Sequence, residues 1–300
     1  MKCYGEVFWD ISGVCNSNCK YCCNGKNSIS GDYHKKMSRI MTPETFSNTL
    51  DYLTSKGIIH PEKTVIYLFN WGDPFIHPQF GTMLEIVSSR GYKYNLSTNG
   101  SIVKDIPLSA VQYLQSISFS MPGFSQESYD RIHGFDFNTI CNNIKTIVNQ
   151  IRSISNHVML TLNYHKYQFN LHEIEASKEF CYNLGMGHFQ FFAYFTGYTM
   201  AKMFYEGFEV PKDELILDEL EQIRIRKPYG WVCPQYSGLT LDVNANVLQC
   251  CATDKMVEGN IIGNVKETDF DTLTNTRMRS EACKLCYEMG HCYVIHNAFY

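Results

Sequence analysis

The stretch "GVCNSNCKYC", Gly13 to Cys22, sets Cys15, Cys19 and Cys22 at C-x3-C-x2-C spacing. Three thiols this close are too many for one disulfide and one short of the four ligands of a closed zinc site. A group that takes three thiolates and keeps one position open fits the count. A 4Fe–4S cluster is such a group: each iron takes one thiolate, so three cysteines on one loop leave the fourth iron free for a substrate or cofactor. A zinc knuckle is the plainer alternative, and it needs a distant fourth ligand. Cys23 cannot easily supply it, because chelating one ion with the adjacent Cys22 would strain the backbone.

The rest of the chain sets the context for that loop. Its 300 residues are 44% hydrophobic and 19% charged, globular composition sufficient for one large domain or a domain plus a small one. Net charge is -4 with no basic stripe, so there is no electrostatic footprint for nucleic acid. The start, "MKCYGEVFWDISG", shows no apolar leader core, and no run reaches the ~18 apolar residues of a membrane span. A cytoplasmic protein with no membrane partner is expected, and thirteen cysteines in that compartment argue for metal binding over disulfides.

Outward from the triplet the pattern alternates. Short apolar runs at "EVFWDI" (6–11), "TVIYLF" (64–69), "KYNLST" (93–98), "SISFSM" (116–121), "VMLTLN" (158–163) and "FQFFAY" (189–194) suit buried parallel strands. Between them, Thr42 and Pro43 open a helix with Phe46, Leu50 and Leu53 as its stripe and Gly57 at its end. Phe80, Met83, Leu84 and Val87 mark a second helix. Ile140, Ile144, Ile147 and Ile151 mark a third, and Ile174, Phe180 and Leu184 a fourth. Six strand–helix units predict an α/β fold, a partial (β/α)6 TIM-like barrel, with its chemistry at the C-terminal ends of the strands. The triplet follows the first strand.

Beyond about residue 200 the pattern changes. "GLTLDVNANVLQCC" (238–251) reads as a hairpin, with "VLQCC" as its second strand, and a final cysteine cluster follows. The expected division is a barrel over 1–200 and a small C-terminal iron–sulfur module over 201–300, held by metal because its own core is thin.

Further segments carry a family resemblance. Cys15, Cys19 and Cys22, with the aromatic Tyr21 before the last, resemble the signature of the radical S-adenosylmethionine (SAM) superfamily. "FNWGDPFIHP" (69–78) resembles its Gly-Gly-Glu-Pro segment through Gly72, Asp73 and Pro74, with Trp71 for the first glycine and Asp for Glu. "LSTNG" resembles the ribose-contacting turn, making Ser97 and Asn99 candidates. "SISFSMPGFSQESYDRIHG" places Ser120 at the family's Ser, while Pro122 replaces its Asp. The resemblance implies a SAM-binding 4Fe–4S cluster on the triplet and SAM held by Tyr21, Gly72, Asp73, Pro74, Ser97, Asn99 and Ser120. It also implies an external one-electron donor such as flavodoxin or ferredoxin.

At the other end Cys233 and Cys250 bracket the hairpin, and "CKLC" supplies Cys283 and Cys286. By ligand chemistry alone this is a zinc ribbon or a cluster site. It resembles the twitch module, which implies one auxiliary 4Fe–4S cluster on these four thiols. The longer SPASM pattern is incomplete: Cys283, Cys286 and Cys292 match it, but His296 stands at the next position and Ala245 replaces a hairpin glycine. Cys251 and Cys292 are left over, as ordinary thiols or as substitutes for a neighbour. The sharper expectation is catalytic: Cys251 returns a hydrogen atom to a substrate radical. Cys3, Cys23, Cys141 and Cys181 read as structural, and the many Tyr and Phe as core and barrel wall.

Three functions are open on this reading. The first is hydrogen abstraction from a small polar, sugar-like metabolite, giving oxidation or epimerisation; a triplet beginning at residue 15 leaves no room for an N-terminal peptide-recognition domain. The second is a peptide-modifying maturase, which a small precursor gene beside this one would favour. The third is a zinc-stabilised binding protein, which iron content would exclude.

Overall fold

The computed structural model describes residues 3–29, 39–253 and 259–298. Six strands form where the apolar runs predict them: β1 (Glu6–Trp9), β2 (Val65–Tyr67), β3 (Lys93–Thr98), β4 (Leu114–Met121), β5 (Met159–Lys166) and β6 (Gly187–Phe192). They pair in chain order, every pair parallel. Parallel neighbours need crossover connections, and the amphipathic helices supply them.

Local chemistry explains those helices. Helix Pro43–Ser55 starts where the Thr42 hydroxyl accepts from the Thr45 amide, with proline in the first turn, and buries Phe46, Leu50 and Leu53. It ends before Gly57, whose φ of 66° suits a residue without Cβ. Helix Phe137–Ile154 is capped by Asp136 and buries Ile140, Ile144, Ile147 and Ile151. Each such side chain contributes about 1.5–3 kcal/mol when fully buried. The helix stripes and the strands share one apolar core.

The C-terminal part returns to the first strand. β7 (Leu239–Leu241) pairs parallel with β1, and β8 (Asn246–Leu248) and β9 (Ile261–Asn264) follow antiparallel, completing a nine-stranded sheet. This addition covers the β1 edge that an open barrel would leave unpaired. One expectation is corrected. The strand read into "VLQCC" stops at Leu248; the Gln249 amide turns to the Asn260 carbonyl (2.7 Å), and Cys250 opens a turn closed by the Thr253 amide (3.3 Å). Strand alternation therefore does not set where Cys250 and Cys251 point.

Ala245, in the β7–β8 turn, has a φ of 59°. Its amide bonds the Asp242 carbonyl (3.0 Å), and the Asp242 carboxylate accepts from the Asn244 and Asn246 amides, so the turn is fixed. An L-residue there costs about 1–2 kcal/mol, partly offset by glycine's greater unfolded-state entropy. Ala245→Gly is expected to stabilise the protein by about 0.5–1 kcal/mol, read as a higher urea midpoint at unchanged slope. A lower midpoint would mean that the buried methyl's packing outweighs the strain. No helix among the described residues is long and apolar enough to cross a membrane.

Candidate active site

The loops after β1 to β4 meet at one end of the sheet. They enclose about 510 Å³ of open space bordered by Cys15, Cys19, Gly72, Asp73, Ser97, Asn99 and Ser120. Residues up to a hundred positions apart are brought together as the sequence predicts. Two expected members lie elsewhere. Pro74 is buried at the start of the short helix Pro74–Ile76, and Tyr21 packs against Tyr167 and Phe195. Tyr21 and Cys22 instead border a second, adjoining space of about 930 Å³ at the ends of β4 to β6. Cys19, Ser120 and His133 border both.

Two buried carboxylates build this end of the barrel. One oxygen of Asp73 accepts from the Thr98 hydroxyl and the Asn99 amide (both 2.9 Å), and the other from the Phe75 amide (2.9 Å). Its side chain thus locks the loop after β2 to the turn after β3, and burial raises its pKa. Asp10 was not anticipated. It ends β1, and its Oδ1 accepts from the amides of Asn70, Trp71 and Gly72 at 2.9, 3.0 and 3.1 Å. Its only sequence signal is a carboxylate closing the apolar run "EVFWD". Gly72 is required for a different reason: a Cβ there would stand 1.7 Å from the Ser12 carbonyl oxygen. Asn99 reaches toward Cys15 (3.8 Å) and bonds Asn16 (2.9 Å), tying the ribose-type turn to the cysteine loop.

The thiols suit a cationic centre. Burial, followed by the Asp73 carboxylate, pushes the Cys15 thiol up to about 12, and burial also raises Cys19. Cys22 is pulled down to about 7, chiefly by a hydrogen bond from Cys23. Thiols buried beside a carboxylate become stable thiolates when a metal centre supplies positive charge. The triplet therefore fits a cluster by its donor set and by the space that Cys15 and Cys19 border.

A second cysteine ring lies near the hairpin. Cys233, Cys250, Cys283 and Cys286 border about 520 Å³ of open space, as expected, and so do Cys292 and His296. The position of Cys292 suits the expectation of a substitute for a neighbouring ligand better than that of an ordinary core thiol. Helix Glu281–Glu288, capped by Ser280, carries Cys283 and Cys286 one turn apart, and Cys292 hydrogen-bonds Cys286. The Gln249 amide donates to Cys283 (2.9 Å), and the Cys233 sulfur lies 3.9 Å from His296 Nε2. Arg277 is buried alongside and donates to the carbonyls of Gly238 (2.6 Å) and Leu248 (3.0 Å), with its charge facing Cys250 and Cys283. Among the described residues no three Cys, His, Asp or Glu side chains are gathered as a single-ion site. Cys251 is not among the residues bordering this ring. Its backbone instead touches the first site. With the Asn70 amide oriented to satisfy both neighbours, it donates to the Cys251 carbonyl (3.2 Å) and accepts from the Trp71 indole (3.1 Å).

Comparison with known proteins gives the family and the fold. A family model described as the radical SAM superfamily matches residues 9–169. A cofactor-modifying protein for the tungsten-containing aldehyde ferredoxin oxidoreductase of Pyrococcus furiosus is 29% identical over 100 residues. That match takes in 33% of this chain and spans only 25% of the relative's length. The fold is similar to SuiB of Streptococcus suis bound to S-adenosylmethionine, with a TM-score of 0.60 at 13% identity over 95% of this chain and 72% of that one. It is also similar to anSMEcpe with bound AdoMet, with a TM-score of 0.53 at 13% identity over 93% of this chain and 82% of that one.

Proposed function

The chain belongs to the radical SAM superfamily, and from that premise we propose that it abstracts hydrogen from a small polar, sugar-like metabolite, giving oxidation or epimerisation. When bound, the cluster and SAM supply a 5′-deoxyadenosyl radical able to take hydrogen from an unactivated C–H bond. Cys15, Cys19 and Cys22 hold the cluster. Gly72, Asp73, Ser97, Asn99 and Ser120 shape the space for SAM, with Asp10 and Asp73 fixing its loops. Cys233, Cys250, Cys283 and Cys286 hold one auxiliary 4Fe–4S cluster in the segment from about residue 201 onward.

The observation that carries this reading is the wall that two spaces share. Cys19, Ser120 and His133 separate the SAM-side space from the larger one, whose cavity volume of about 300 Å³ lies at the lower end of the range of small-molecule sites. A substrate there stands next to the radical, which is the positioning that such chemistry needs. A peptide substrate is the competing reading. SuiB has been seen bound to its precursor peptide SuiA in a fold similar to this one, with a TM-score of 0.58.

The two outcomes differ in where the substrate radical sends its unpaired electron. Oxidation would require the substrate radical to lose one electron and one proton, the electron to an auxiliary cluster that Cys233, Cys250, Cys283 and Cys286 would hold and the proton to solvent. Epimerisation takes a hydrogen atom from a thiol, and the thiyl radical then needs one electron and one proton to reset. Cys251 is the proposed donor; the hydrogen bond from Asn70 to its carbonyl ties its backbone to the loop after β2. Under epimerisation, Cys251→Ala should still form 5′-deoxyadenosine but lose inverted product, and solvent deuterium should enter the wild-type product at the reacting carbon. Under oxidation, the variant should keep its product and no label should appear. Full inverted product from the variant would remove Cys251 as donor.

A further inference from the structure

The larger space has a distinct lining. Cys19, Cys22 and Tyr21 of the cysteine loop border it on one side; elsewhere its polar groups are the imidazoles of His133 and His165 with Asn163, Ser120 and Thr196, among the rings of Tyr167, Phe191 and Tyr194. No Asp, Glu, Lys or Arg is among its described lining residues. His133 is buried, and its Nδ1 has no hydrogen-bond partner among the described residues. Its ring is held edge-on by Tyr129, with centroids 5.6 Å apart. His165 stacks on Phe191, with ring centroids 6.0 Å apart and planes 26° apart, which holds the imidazole in place.

The electrostatics point the same way. Burial pulls His133 down to about 3, helped by His165, and pulls His165 down to about 4. Both rings are neutral near pH 7, each with one N–H donor and one lone pair. A charged ligand entering this space away from the cysteine loop would lose its hydration and meet no Asp, Glu, Lys or Arg side chain in return, which is costly. A neutral ligand rich in hydroxyls would meet the donors and acceptors of the two imidazoles, Asn163, Ser120 and Thr196 among aromatic rings.

We propose that His133 and His165 are the substrate-recognition pair of this space and that they select an uncharged, polyhydroxylated ring. The inference rests on the hydrogen-abstraction reading above and narrows its substrate class.

The test uses the reconstituted holoenzyme with SAM and reductant, and ring-deuterated probes: myo-inositol and glucose as neutral rings, glucose 6-phosphate and glucosamine as charged ones. Mass spectrometry reads the fraction of 5′-deoxyadenosine that carries deuterium, so changes in total SAM cleavage divide out. Neutral probes should label it at least about tenfold more than charged ones, because the charged ones give up hydration unrepaid. His165→Phe keeps a flat ring without hydrogen-bonding atoms and should cut the label about tenfold, one hydrogen bond's effect at the upper end. His165→Gln should restore part of it, and His133→Phe should fall likewise. Equal or stronger labelling from the charged probes overturns the proposal, as does unchanged labelling in both phenylalanine variants. Because the charge comparison uses wild-type protein, it stands even if a variant misfolds. Wild-type protein that makes no 5′-deoxyadenosine sinks the underlying reading, whereas cleavage labelled only by a deuterated peptide sinks the substrate class alone.

Discussion

Replacing Cys19 with alanine is expected to reduce 5′-deoxyadenosine formation to reagent background, and Cys15→Ala or Cys22→Ala should do the same. The reason is the ligand count. Three thiolates on one loop hold three irons and leave one corner for SAM, so losing any thiolate removes an iron's anchor and dismantles the SAM site. The loop has little room to compensate. Cys19 is fixed by a contact to the Ser17 hydroxyl (2.8 Å), and the backbone closes so tightly over it that a Cβ on Gly25 would lie 1.9 Å from its carbonyl oxygen. Cys23 is buried and hydrogen-bonded to Cys22, so it is poorly placed as a substitute. Reconstituted wild type should carry about eight irons per chain, and each variant about four, those of the auxiliary site. Measurable SAM cleavage by any of the three variants would show that its thiol is not an anchor.

What the sequence revealed and what it hid follow from the range of the interactions. The parallel strands were legible because most are largely buried and so written as near-continuous apolar runs, with the edge strand β6 the most open of them. The helices were legible because their stripes and caps are local: Thr42 and the Thr45 amide it binds are three residues apart. The residues around the smaller space were legible because each lies at or just beyond the C-terminal end of a strand, and a parallel sheet collects those positions at one end. Asp10 was hidden because its partners, Asn70 to Gly72, are 60 to 62 positions away and are backbone amides that leave no mark in the side-chain pattern. The pairing of β7 with β1 was hidden for the same reason: Val7 meets Leu239 across most of the chain. "VLQCC" misled because its apolar pattern continues past Leu248, where Gln249 turns aside to the Asn260 carbonyl and the Ser280 hydroxyl. Cys292 stayed open between an ordinary thiol and a substitute ligand because spacing cannot tell a fifth thiol around a cavity from one buried in the core.

That fifth thiol makes the auxiliary site the subject of the second large effect. Alanine at Cys233, Cys250, Cys283 or Cys286 is expected to remove about four irons per chain while leaving the first cluster and SAM cleavage in place. If the reaction is an oxidation, these variants should form 5′-deoxyadenosine yet fail to release oxidised product, because the substrate radical has lost its electron acceptor. Cys292→Ala is the control that assigns the set. Cys292 hydrogen-bonds Cys286 and borders the same space, so the two compete for one corner of the cluster. A cluster with four cysteine ligands leaves one of the five sulfurs unbound. With Cys286 as ligand, Cys292→Ala should keep about eight irons, and loss of the Cys286 thiol should cost four. The reverse pattern would move the ligand to Cys292 and leave Cys286 as its hydrogen-bonding neighbour. Eight irons in all five variants would mean that neighbouring thiols exchange freely, and four in the wild type would remove the auxiliary cluster altogether. Iron content and EPR of the reduced protein read every case without a known substrate, so the electron acceptor can be assigned before the molecule it serves is identified.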